Sequence, residues 1–239
     1  MNNCKNCKTE VTQNYCPNCG IPITLARING RYIFKEITSV MNFDKGILLT
    51  IKELLIRPGQ NVKYFIHEDR NRLVKPLIFI IICSLIYSVA QLLLHFEDGY
   101  VDYGELEESS LAKIFDWVQA NYGYANIIMA IFIAMWIKLF FRKYNYNFFE
   151  ILILLCFVMG EGMLIYTIFG IAESATEIRL LHFGAFFLLA YSSWAIGRFF
   201  DKTKKVNYLK GLLSYLFGSI TFWIVAAILG IGIDLIQKM

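Results

Sequence analysis

Five stretches, Leu73–Phe96, Tyr124–Phe141, Phe148–Phe169, Leu180–Phe199 and Leu209–Ile236, are apolar over a length that constrains everything else about this chain. A bilayer core needs about 20 helical residues, with a range of roughly 17–25, and each stretch supplies them. None alternates with period two, so the reading is helices rather than a transmembrane barrel. The last stretch is long, so it tilts or begins at the interface. Composition agrees: 57% of the 239 residues are hydrophobic and only 18% charged. Soluble domains run nearer 45–50% and about 25%. The scarcity of proline and the wealth of Phe and Tyr exclude disorder. The expected fold class is an all-α polytopic membrane protein.

Basic residues orient the spans. All but three of the 23 Lys and Arg fall before the first span, around the second–third turn, or between spans four and five. The exceptions are Lys113, Arg179 and Lys238. With five spans, the positive-inside rule then predicts a cytoplasmic N-terminus and an outer C-terminus. The first outer loop, Glu97 to Gly123, is acidic, and no metal-loop spacing appears in it, so a solvated loop is favoured over cation binding. Its tail, Leu111–Ala120, reads as an amphipathic helix offering Ile114, Phe115, Trp117 and Val118 to the membrane surface.

Ahead of the spans, Cys4-x-x-Cys7 and Cys16-Pro17-x-Cys19-Gly20 form two tight pairs. Two such turns complete a tetrahedral four-thiolate shell, which predicts a structural zinc ribbon over residues 1–23. Met1–Gly20 lacks an apolar core, so it is expected to be a retained working segment and not a signal peptide. Disulfides are the competing pairing, disfavoured by a cytoplasmic, reducing placement. Redox use of Cys-x-x-Cys would need a thioredoxin-like surround that is missing. A full shell leaves no open position for catalysis, and the ion folds a segment too small to bury a core. Lys5, Lys8 and Tyr15 are too thin a supply for nucleic-acid binding, so a cytosolic protein partner is the better expectation.

Residues 24–72 mix apolar and charged positions in helix-compatible patterns at Arg31–Met41, Asp44–Ile56 and Asn61–His67, broken at Arg57-Pro58-Gly59. Short amphipathic helices in the inner interface are expected, with Arg57, Lys63, Arg70, Arg72 and Lys75 as lipid-headgroup candidates. Ordinary topology-setting charge explains the same residues without a specific lipid. His67-Glu68-Asp69-Arg70-Asn71 fails as H-E-x-x-H because its last position is Asn. The cysteine pairs, the Arg57-Pro58-Gly59 turn, Tyr64, Arg70 and Pro76 together resemble an uncharacterised bacterial family with an N-terminal zinc ribbon and several spans. That resemblance implies residence in a bacterial plasma membrane and carries no established activity.

Inside the spans, Glu161 needs a reason. It lies thirteen residues, about 20 Å, into the third span between Gly160 and Gly162. A carboxylate there costs several kcal/mol unless it is protonated, paired or wet. Ser88, Thr221 and Trp223 sit at comparable depth and are candidate donors. Two readings follow: a protonated Glu joining helices, or a proton or ion pathway. Lys138 and Glu150 share a depth near the inner end and are expected to pair or snorkel. Arg179 and His182 have Glu173 and Glu177 as nearby partners. Ser214-x-x-x-Gly218 and Ala226-x-x-x-Gly230 favour close helix packing, within the chain or in a homo-oligomer. Tyr122, Tyr124, Tyr144 and Tyr208 read as interface anchors.

No nucleophile–base constellation is recognisable. The leading expectation is therefore a non-enzymatic membrane scaffold or adaptor, with residues 73–239 spanning the bilayer and the ribbon docking a partner. The alternative is a channel, transporter or pore subunit that uses Glu161.

Overall fold

The computed structural model describes residues 2–3, 9–11, 15–18, 46–70, 72–96, 109–176 and 178–237. Cys4, Cys7 and Cys19, the expected helix Arg31–Met41, most of the acidic loop and Glu177 lie outside the described residues. The chain divides into two compact units, Met1–Met41 and Asn42–Met239. In the first unit, β1 (Asn2–Asn3) pairs antiparallel with β2 (Glu10–Val11), Asn2 opposite Val11 and Asn3 opposite Glu10. Pro17 and Asn18 form a turn just after a buried Cys16.

The second unit is helical throughout its described elements. Two short helices, α1 (Ile47–Ile56) and α2 (Pro58–His67), precede a span-length α3 (Pro76–Leu94). Then come α4 (Ser110–Ala120), α5 (Tyr122–Phe140), α6 (Phe148–Thr176), α7 (Leu181–Asp201) and α8 (Lys205–Gln237). Helices α3, α5, α6, α7 and α8 are long and apolar enough to cross a membrane.

Local chemistry sets the boundaries. Pro58 forces Arg57 out of helical geometry (φ −142°, ψ 59°), ending α1, and then starts α2 at its first position. The Asn61 amide donates to the Glu53 carbonyl at 2.7 Å and fixes the angle between the two helices. At the start of α6, Asn147 and Glu150 form a reciprocal capping box, Glu150 N–H to Asn147 Oδ1 at 2.9 Å and Asn147 N–H to Glu150 Oε2 at 2.7 Å. Glu173 near the end of α6 caps α7, accepting from the Leu180 and Leu181 amides.

Helix α6 is the hub, packed against α3, α5 and α7, while α8 closes the bundle against α5 and α7. Its core includes Phe79, Cys83, Ile133, Leu154, Phe157 and Ala195. The outward faces are apolar: Ile81, Leu85, Leu92 and Leu93 on α3, and Ile224, Ile228 and Leu235 on α8, are exposed. An apolar exterior of this extent needs lipid to cover it.

Two sets of expected helices also make contacts within the protein. The short helices before α3 do not spend their apolar faces on the interface alone: Leu54, Val62, Phe65 and Ile66 are buried, packed on α6 and α7. At Gly59 a Cβ would meet the Arg198 and Phe199 backbone, so α2 crosses the end of α7 at a distance that only glycine allows. Likewise α4, the helix expected over Leu111–Ala120, packs on α8. Phe115 stacks on Trp223 with ring centroids 4.7 Å apart, Val118 is buried with Phe222, and the Ser110 amide donates to Asp234 of α8.

Candidate functional site

Glu161 is carried on α6 at 1% exposure, and its Oε2 has no hydrogen-bond partner among the described residues. Helices close in on both sides. A Cβ at Gly160 would strike the Phe79 ring of α3, and one at Gly162 the Leu188 side chain of α7. Cys83 of α3 and Tyr191 of α7 lie within electrostatic reach of the carboxyl. The Tyr191 hydroxyl donates to the Leu54 carbonyl at 3.3 Å, linking the centre of the bundle to α1.

The donors expected from depth are elsewhere. Thr221 donates to its own helix at the Phe217 carbonyl (2.6 Å) and accepts from the Trp136 indole (3.0 Å). Trp223 is stacked on Phe115, and Ser88 lines a surface pocket beside Tyr122 and Tyr124. Depth along a helix follows from the 1.5 Å rise, but which way a residue faces depends on its neighbours. A cavity of about 250 Å3 begins at Gly162, lined by Tyr87, Asn126, Met163, Tyr166 and Ser219 among others; Glu161 is not in its wall.

At the opposite end from α4, cationic side chains close the ends of helices. Lys63 of α2 donates to the Phe200 carbonyl at 3.1 Å and sits 5.9 Å from the Phe199 ring. Burial lowers its pKa below the ordinary lysine value, and the nearby Asp201 carboxylate opposes that shift. Lys210 of α8 donates to the Phe140 carbonyl at the end of α5 (3.2 Å). Lys138 donates to the Tyr146 carbonyl and Glu150 is held in its capping box, so each has an alternative to the expected mutual pair. Orphan carbonyls at a helix C-terminus attract positive charge, which explains Lys63 and Lys210, while Lys138 meets a carbonyl of the loop ahead of α6.

The five headgroup candidates therefore occupy different settings. Lys63 is engaged as described, and Arg72 pairs with Glu53 at 3.0 Å while lying over the Tyr64 ring. Arg57, Arg70 and Lys75 are exposed. Arg70 and Lys75 border a groove of about 750 Å3 between α2, α3 and α6. Hydropathy reading gave no sign of that groove, because its walls come from three separate helices.

Among the described residues no group of three or more His, Cys, Asp or Glu is arranged to hold a metal, and Cys16 is the sole member of the cysteine quartet among them. The fold and its apolar exterior define a multi-pass helical protein of the membrane-embedded class. Residues 44–88, from just ahead of α1 to within α3, match a family described as "Protein of unknown function (DUF3667)". The match includes Arg57-Pro58-Gly59, Tyr64, Arg70 and Pro76. No curated protein and no solved structure matches the chain.

Proposed function

We propose that this protein is a membrane-embedded scaffold whose N-terminal unit is a four-cysteine zinc ribbon that docks a cytosolic protein partner. The observation that carries the reading is the division into two units, a small one holding all four N-terminal cysteines and a helical one with an apolar exterior. In sequence, Cys4 and Cys7 fall between the paired residues Asn3 and Glu10, and Cys16 and Cys19 flank the Pro17–Asn18 turn. That order of residues suits a zinc ribbon, and zinc bound by all four thiolates would be structural. Purified protein is expected to carry one zinc per chain, lost on Cys4→Ser or Cys16→Ser. Deleting Met1–Ile21 is expected to abolish a crosslinked cytosolic partner while leaving the helical unit in the membrane. Unchanged partners after that deletion would remove the docking role.

A second reading has its own observation, the buried Oε2 of Glu161 without a hydrogen-bond partner. If the protein conducts protons or ions, Glu161→Gln alters flux in proteoliposomes; equal flux from both forms ends that reading.

A further inference from the structure

We infer that the groove between α2, α3 and α6 is a binding site for one anionic phospholipid, its headgroup held by Arg70 and Lys75 and one acyl chain lying along α3 and α6. The volume of about 750 Å3 lies within the roughly 300–1,000 Å3 of sites that enclose small ligands. The walls are apolar, from Phe65, Ile66, Leu77, Ile78, Phe149 and Ile153, with Cys156 at the deep end. The polar groups gather at one end: Arg70, Lys75, Asn147 and Glu150.

Charge complementarity selects the occupant. Both cations are exposed at the mouth, and among the described residues the guanidinium has a single long hydrogen bond, 3.5 Å to the Ile66 carbonyl, leaving donors for a phosphate. Helix α3 starts at this mouth with Pro76 and no side-chain cap, so its first-turn amides add positive potential. Glu150 also faces the groove, but its Oε2 accepts from the Asn147 amide, so the negative group is held by its own helix start. A soluble peptide does not fit the lower walls. Leu77, Ile78 and Phe149 are exposed on span-forming helices, where lipid is the solvent, so the chain that enters there must itself be hydrocarbon. Lys63 and Arg72, engaged inside the protein, and Arg57, outside this groove, take no part.

Native mass spectrometry of the full chain, titrated with dioleoyl phosphatidylglycerol and separately with dioleoyl phosphatidylcholine, tests the assignment. One phosphatidylglycerol per chain is expected, preferred by about 25-fold over phosphatidylcholine and not displaced by millimolar inorganic phosphate. The double variant Arg70→Gln, Lys75→Gln should lose that preference, by about fivefold for each charge removed. Arg57→Gln, an equal loss of charge outside the groove, should keep it. Equal retention of both lipids by the unaltered chain overturns the inference, and so does a preference that survives in the double variant. Displacement by phosphate would reassign the site to a soluble anion. Should the double variant fail to fold, Lys75→Gln alone, at an exposed position ahead of α3, is read the same way.

Discussion

At Glu161 two solvation rules meet. A carboxyl buried in a helix bundle is expected to find a donor, yet Oε2 has none. Removing a buried polar group that lacks a partner costs little and can help, since the folded state no longer strips water from it for nothing. Glu161→Met is therefore expected to leave thermal stability in detergent unchanged or raised by about 1 kcal/mol. A marked fall in the melting midpoint would mean the carboxyl has a bonding partner after all. Lys63 behaves oppositely because its ammonium satisfies the Phe200 carbonyl at the end of α7. Lys63→Met keeps the apolar stem and removes the charge, so a loss of about 1 kcal/mol is expected from the same unfolding measurement. Charge was legible in the sequence at both positions. Which carbonyl Lys63 would meet was not, because that contact joins residues 137 positions apart.

Among the helices, the junction of α1 and α2 was readable because Pro58 acts on its immediate neighbours. Its consequence at longer range was not. Gly59 reads as part of a turn, while in the fold it admits the α7 backbone. Gly59→Val is expected to force α2 away from α7 and cost about 1–3 kcal/mol, seen as a lower melting midpoint and faster proteolysis ahead of α3. The α6 cap supplies a finer test. Asn147→Ala and Glu150→Ala each remove one arm of a reciprocal pair, so each should cost about 1 kcal/mol and the double variant less than the sum. Strict additivity in that cycle would show that the two bonds form independently. The small-residue step at Gly218 is used inside the chain: a Cβ there would strike the Ile133 backbone of α5.

For the molecule as a whole, five helices among the described residues are long and apolar enough to cross a membrane, and an odd number of crossings predicts ends on opposite sides. A reporter fused after Met239 is expected to be active outside and one fused before Met1 inside, given where the Lys and Arg lie. Cytosolic activity from the C-terminal fusion would contradict five spans. The hub position of α6 makes it the most buried of the five span-length helices, whereas α3 and α8 keep broad apolar faces exposed. Large-to-small substitutions at the buried apolar positions of α6, such as Leu154 and Phe157, should therefore be the most damaging, and exchanges among Ile and Leu on the outer faces of α3 and α8 close to neutral.

The amino-acid sequence alone determined the number, type and approximate limits of the spanning helices, because hydrocarbon length and backbone hydrogen bonding act on each segment independently of the others. It equally determined the break at Pro58, where the constraint is covalent, whereas the first spanning helix begins at Pro76, inside the expected Leu73–Phe96. Tertiary structure decided what each polar side chain faces: that Thr221 turns to Trp136 and away from Glu161, that Lys63 closes α7, and that Arg70 and Lys75 share one groove. Helix rotation and crossing angle come from side chains of several helices fitting together at once, and no local pattern encodes that fit.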